Sequence, residues 1–339
     1  MRLVTCIQQF FVQYLPRVKG VSDRTIKTYQ YTFTLFLPFA AQYCSVKIKS
    51  LTVNHLSPNL VLAFLDYLEV QRNNVARTRN NRFAAIKSLL RMIRLMYPEN
   101  QKHVERILNI PMKKTRKELM GFLYPDEIIR VLDAVDLEKK QGFRDYTILH
   151  LLFDTGGRAS EIATLNLDYF DPAHNMIAIL GKGNCFRLVS VWPKTSQLLR
   201  LYITHYRAIP KPVYTHRLFI NQRREELSRH GIYRICRKYL SRALPSERIK
   251  TLSPVHSSRH SRAFDMLASG SSVEEIAMRL GHTSTFFTRA YLHFDLSSVR
   301  ELQKKMNEYV QSTIFQDRKI AEFIDWKKRE EILSWLDSL

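Results

Sequence analysis

Between Thr251 and Tyr291 the chain reads TLSPVHSSRHSRAFDMLASGSSVEEIAMRLGHTSTFFTRAY, which sets His256 and Arg259 one helical turn apart, then Leu280-Gly281-His282, then Tyr291. A guanidinium and an imidazole can hold an oxyanion, and a phenol can attack one. Upstream, TGGRASEI at 155–162 offers Arg158 where a helix begins, and GKG at 181–183 offers Lys182 in a turn. Singly, each element has an ordinary explanation. Gly-Gly-Arg can simply start a helix, a lysine in a turn is usually solvated, and His with Arg on one helix can be a structural pair. Their order along one chain is what carries weight.

The remaining composition says what such a site would act on. The chain has 339 residues, long enough for two domains, with 53 Lys and Arg against 31 Asp and Glu and a formal charge of +22. A basic surplus spread over many segments suits a long polyanion, so nucleic acid is the leading expected partner, although secreted basic proteins and ribosome-associated proteins share this balance. Cys6, Cys44, Cys185 and Cys236 lie far apart with no CxxC pair, which reads as reduced thiols rather than a disulfide framework. Gln8, Gln9 and Gln13 interrupt the first apolar segment and no cleavage site follows it. The apolar run Tyr31–Tyr43 is short and carries Pro38, so no membrane span is indicated and a cytoplasmic protein is expected, with a nuclear one left open.

The elements that would position these residues are mostly helical. Val4, Ile7, Phe11, Tyr14 and Leu15 recur at helical spacing and predict a short first helix stopped by Pro16 and Gly20. A second follows Ser22 or Asp23 and is broken or kinked near Pro38, a third covers Leu60–Val70, and a long fourth covers Val75–Tyr97. Residues 1–112 hold 16 basic and 5 acidic side chains, so this helical bundle is expected to grip a DNA backbone, with the solvated surface of an ordinary bundle as the alternative. Arg77, Arg79, Arg82 and Lys87 on the fourth helix, and Lys113, Lys114 and Arg116 beyond it, are the candidate contacts. Pro111–Gly121, PMKKTRKELMG, has linker chemistry, and the expected boundaries are a DNA-binding domain at 1–112, a basic linker at 113–121, a catalytic domain at 122–316 and a terminal amphipathic helix at 317–339. In the second domain helices are expected over 125–135, 143–154, 194–206, 228–240, 256–268 and 273–280. Met176–Leu180 and Arg187–Val191 read as apolar strands joined by GKGNCF, a hairpin with Lys182 near its tip. The terminal helix, with six acidic and five basic residues, suits either packing on its own domain or docking on a neighbouring protomer.

TGGRASEI, GKG, HSSRH at 256–260, LGH at 280–282 and Tyr291, in that order and spacing, resemble the tyrosine site-specific recombinases of the phage-integrase type over roughly residues 122–300. SDRTIKTYQ at 22–30 and ARTRNNRFAAIKSLLR at 76–91 resemble, more loosely, that family's helical core-binding domain. The resemblance implies a mainly α fold with a small antiparallel β-sheet, closing on duplex DNA as a C-shaped clamp, in an enzyme that cuts and rejoins strands for integration, excision or transposition. It also implies a homo-oligomer, four protomers around two duplexes, and needs no cofactor and no metal. A type IB topoisomerase uses the same chemistry without synapsis, and a non-catalytic DNA-binding protein of this fold would lack a catalytic group, whereas none is missing here.

The chemistry stands beside the resemblance. Breaking a phosphodiester by direct attack requires cancelling the charge that builds on its non-bridging oxygens, and the planar forks of Arg158 and Arg259 suit those oxygens. The resemblance implies Tyr291 as the nucleophile that forms a 3′-phosphotyrosine; a phenol of pKa about 10 needs its proton removed, with His256 as the base or hydrogen-bond partner. Lys182 is expected to protonate the departing 5′ oxygen and His282 to bond the scissile phosphate. Glu161 is expected to orient Arg158 rather than act as an acid. His256 and His260 have metal-pair spacing but lack a third ligand, and His293 is taken as surface. Three departures from the family pattern stand out: Gly157 where a bulky apolar residue is common, which would loosen the loop; Cys185 in the hairpin, which would make activity oxidant-sensitive; and Ser257-Ser258 between the His and the Arg, which puts the packing of that helix start in question.

Overall fold

The structure is a computed structural model that describes residues 1–115, 121–181 and 183–281. Lys182, His282, Tyr291, Arg116, His293 and the terminal helix expected at 317–339 lie outside the described residues. The chain divides into two compact units, 1–118 and 119–339.

The first unit is helical. Helix α1 (Leu3–Gln9) passes directly into a π-helical segment, Phe10–Val18, that runs through Pro16. Of the two expected stops, Pro16 is passed, and the helical run ends at Val18 just before Gly20, which is left-handed at φ +58°. Proline has no N–H to donate, and the wider turn absorbs this by letting Lys19 N reach back five residues to the carbonyl of Tyr14 at 2.9 Å. Helix α2 (Asp23–Tyr43) likewise continues past Pro38 rather than breaking there. Helix α3 (Pro58–Val70) opens with proline where the missing N–H costs nothing, and Ser57 Oγ accepts from Leu60 N at 3.1 Å. Helices α4 (Ala76–Met96) and α5 (Gln101–Leu108) complete the bundle; the second of these was not expected from periodicity. Phe10, Phe36, Phe64, Phe83 and Ile93 are fully buried in one core, and Phe36 meets Phe64 edge-on with ring centroids 5.1 Å apart. Burying each such side chain contributes about 1.5–3 kcal/mol, which is what holds helices of modest length together.

The second unit begins with α6 (Pro125–Asp133) and α7 (Lys140–Thr155). Helix α7 is its central column, with Phe143, Ile148, Leu151 and Leu152 fully buried, and it ends at Gly156 in the left-handed conformation (φ +62°). The short α8 (Ala159–Ala163) follows at once. Strands β1 (Phe170–Asp171), β2 (Met176–Leu180) and β3 (Phe186–Ser190) form an antiparallel sheet in that order, with Ile179 opposite Arg187 and Leu180 opposite Phe186. Then come α9 (Pro193–Leu201), continued by a π-helical turn to Tyr206, α10 (Arg229–Ala243), α11 (Ser246–Lys250), α12 (His256–Ala268) and α13 (Val273–Leu280). The fold is mainly α with a small antiparallel sheet, as the sequence implied. Strand β1 and helix α11 were not legible because both are too short to show a period.

Helix α13 is closed at both ends by local chemistry. Ser272 Oγ accepts from Glu275 N at 3.1 Å while Glu275 Oε2 accepts from Ser272 N at 2.7 Å, a reciprocal cap. Gly281 ends the helix in the left-handed region at φ +66°.

Candidate active site

Arg158 and Arg259 lie 101 positions apart in sequence and meet at the end of α13. Arg158, just before α8, donates from Nη2 to the carbonyl of Gly281 at 3.2 Å. Arg259, on the first turn of α12, donates from Nη2 to the carbonyl of Leu280 at 2.5 Å and from Nη1 to that of Gly156 at 2.9 Å. A helix C-terminus leaves carbonyls without intrahelical donors, and two guanidiniums supply them here. The Leu280–Gly281 end of α13 is thereby tied to the TGGR turn. Gly156 is required at this junction, because a Cβ there would lie 2.5 Å from Leu280 Cδ2 and the backbone is left-handed.

Glu161 sits below Arg158 with its side chain only 5% exposed. Its Oε1 accepts from Arg158 Nη1 at 2.6 Å and its Oε2 from Arg158 N at 3.0 Å. Burial alone would raise its pKa, but the hydrogen bond and charge of Arg187, then the backbone and side-chain hydrogen bonds of Arg158, hold the carboxylate below its usual range. It is thus ionised and orients Arg158. An open cleft beside Arg158 is lined by Ser160, Glu161, Thr164, Leu180 and Gly181, so the base of the hairpin and the first arginine face the same space.

His256 shares the neighbourhood of both arginines. Loss of solvation first, then the charges of Arg259, Arg158 and Arg229, push its imidazole below the ordinary histidine value. A neutral imidazole at neutral pH can accept a proton. His260, one turn on, is pushed down to about 4 by burial and by the charges of His256 and Arg259. An unfolded histidine binds its proton near pH 6.5, so between about 6.5 and 4 the unfolded chain holds a proton that the folded chain does not. Stability is accordingly present above this window and lost as pH falls through it. Urea unfolding across this range should show a decline on the order of 3 kcal/mol, reduced in His260→Gln; an unchanged slope in that variant would assign the titration to other groups. Among the described residues no group of three or more His, Cys, Asp or Glu side chains is placed to hold a metal ion.

The three departures have clear structural settings. Gly157 is buried rather than loose: its N donates to Thr155 Oγ1 at 3.1 Å, and a Cβ would lie 2.8 Å from Ile162 Cδ1. Ser257 and Ser258 are both buried, and their hydroxyls are satisfied: Ser257 Oγ accepts from Ser253 N at 2.9 Å and Ser258 Oγ donates to Val255 O at 2.6 Å. Ser261 adds a bond from Leu123 N at 2.8 Å, so this helix start is packed through hydroxyls in place of methyls. Cys185 is exposed in the hairpin.

The basic residues of the first unit divide into two groups. Arg77 and Lys114 are exposed, and Arg82 is half-buried with its guanidinium 5.5 Å from the Tyr31 ring centroid. Arg79, by contrast, is buried and lies 3.6 Å from Glu69, which also takes Lys113 Nζ at 2.9 Å. Lys87 donates to the carbonyls of Leu108 at 2.8 Å and Ile110 at 2.6 Å, closing the end of α5. Helix α4 packs on so much of its girth that two of its cations are drawn into the unit; linear sequence shows their charge but not their direction.

Periodicity also passed over Arg187. Strand β3 was read as an apolar run, yet Arg187 shares the inward face with buried Val189 while Phe186 and Leu188 point out. A charge on the inward face of a strand was the available signal. Arg279 is a second case, with Nη2 3.1 Å from Oδ1 of the fully buried Asp154.

Residues 121–297 match the phage integrase family and residues 7–94 match the phage integrase N-terminal SAM-like domain. The chain belongs to the phage integrase family and is an enzyme of site-specific recombination. It is 31% identical to y4rC of Sinorhizobium fredii, which carries an integrase/recombinase name, over 91% of this chain and 92% of that one. It is 28% identical to the tyrosine recombinase XerC of Pelotomaculum thermopropionicum over 87% of this chain and 95% of that one. Among solved structures, the XerH site-specific recombinase bound to a palindromic difH substrate superposes with a TM-score of 0.65 at 20% identity, covering 88% of this chain and 87% of that one. The Tn1549 transposon integrase in complex with circular intermediate DNA gives 0.64 at 17% identity, covering 88% and 98%. At these identities the likeness is one of fold. Among the described residues no helix is long and apolar enough to cross a membrane.

Proposed function

We propose that the chain cuts and rejoins double-stranded DNA at specific sites through a 3′-phosphotyrosine, with the recombination serving integration, excision or transposition. The observation that carries this is the meeting of Arg158 and Arg259 at the end of α13, with His256 within reach of both charges. Two guanidiniums fixed by backbone carbonyls are preorganised donors for the oxygens of a phosphate under attack. Tyr291 Oη attacks phosphorus, its proton passes to His256, and the bond from phosphorus to the 5′ oxygen breaks as Lys182 protonates that oxygen. His282 bonds the phosphate. Rejoining reverses the step with the 5′-hydroxyl of another strand, so the energy of the broken bond is kept in the ester. Family membership and the recombinase names of the relatives favour this over topoisomerase action, and the arginines in place disfavour a non-catalytic DNA-binding role.

Residues 1–112 serve as the core-binding domain, 113–121 as a basic linker and 122–316 as the catalytic domain. With Arg79 and Lys87 engaged inside the first unit, phosphate contacts fall to Arg77, Arg82, Lys113, Lys114 and Arg116. Recombination of two duplexes calls for four protomers, and the segment 317–339 is suited to join them. The expected location is the cytoplasm. The test is to incubate the full chain with randomised, nicked duplex DNA and to capture adducts that resist detergent. Protein attached at a 3′ phosphate, opposite a 5′-hydroxyl that a kinase labels directly, is the expected product; attachment at a 5′ end, or cleavage with no adduct, refutes the mechanism.

A further inference from the structure

We propose that Arg187 is the positioning residue of this cleavage site, joining the hairpin, the Arg158–Glu161 pair and the end of α13 into one rigid unit. Its guanidinium spans two of these partners and the strand that carries it is the third. Nη2 donates to Glu161 Oε2 at 2.7 Å, the oxygen that also takes Arg158 N at 3.0 Å. Nε donates to the carbonyl of Arg279 at 2.9 Å. The carbonyls of residues 279, 280 and 281 are therefore each held by a different arginine: Arg187 from β3, Arg259 from α12 and Arg158 from the start of α8. The side chain of Arg187 is only 12% exposed, and Gly281 is shaped around it, since a Cβ on Gly281 would lie 2.8 Å from Arg187 Nη1.

The consequence is mechanical and electrostatic. Arg187 lies opposite Ile179 in the ladder, next to the Leu180–Phe186 pair that closes it before the turn at 183–185. It thereby references the base of that turn to Glu161, and the residue preceding His282 to the same carboxylate. Removing it deprives buried Glu161 of the partner that contributes most to keeping it ionised, and Arg158 then loses its fixed counter-charge. A displacement of about 1 Å in such a group can cost on the order of 10²-fold in rate.

This inference rests on the recombinase chemistry above, so its test has one arm that does not. Arg187→Gln and Arg187→Lys are prepared in the full chain and assayed on the duplex that the unmodified chain captures. Single-turnover cleavage at saturating DNA should fall by about 30-fold or more in Arg187→Gln, with affinity within about threefold, and recover to within about fivefold in Arg187→Lys. In the DNA-free chain, amide exchange should speed up about tenfold in Arg187→Gln at 158–162 and 276–281 and remain unchanged elsewhere. Unchanged cleavage, or a loss explained entirely by affinity, overturns the proposal. Failure of the unmodified chain to form any adduct sinks the recombinase chemistry instead; the exchange arm still decides, because unaltered exchange at both segments overturns the role of Arg187.

Discussion

Tyr291→Phe leaves DNA binding intact and removes the covalent adduct, with cleavage down by about 10⁴-fold or more. The substitution deletes one oxygen, and under the proposed mechanism that oxygen is the attacking atom. A phenol of ordinary pKa near 10 is uncharged at neutral pH, so its loss changes no phosphate contact made by the arginines. A gel-shift titration beside a denaturing gel of the nicked duplex reads both quantities. The chain has 16 tyrosines, and an adduct that survived the change would assign attack to another of them. Tyr202 and Tyr239 are poor substitutes: both are buried, and desolvation raises their phenols further from ionisation.

Arg259→Ala has a double effect. The side chain is buried and closes the carbonyls of Gly156 and Leu280, so truncation removes the partners of those bonds and leaves a cavity. The expected loss is about 2–4 kcal/mol of unfolding free energy, read from urea denaturation. Under the proposed mechanism cleavage falls as well, by about 10³-fold, because a fixed donor to the phosphate is gone. Arg259→Lys separates the two effects: an ammonium supplies charge without the planar fork, so stability returns in part while cleavage stays well below the unmodified rate. Wild-type cleavage by Arg259→Ala in the folded chain would reduce this residue to a structural clamp. Arg158, with a side chain 32% exposed, should show the catalytic loss with a smaller cost in stability.

By itself the sequence determined the family, the helical class and the residue types of the candidate site. Each of these is written locally: TGGRASEI and HSSRH each occupy less than three helical turns, and α13 begins and ends where its Ser272–Glu275 cap and Gly281 place it. The tertiary structure alone decided which cations face inward. Lys87 and Arg79 look like their exposed neighbours in linear sequence, and only packing around α4 turns them toward Leu108 and Glu69. The arginine clasp is of the same kind. Arg158, Arg187 and Arg259 are separated by tens of residues, and the carbonyls of 279 to 281 that they share are backbone atoms, present in every residue and so invisible in any motif. A stretch opened by His256 and closed by Tyr291 thus carries residues proposed to react, while the clasp formed by Arg158, Arg187 and Arg259 depends on hydrogen bonds no sequence pattern encodes.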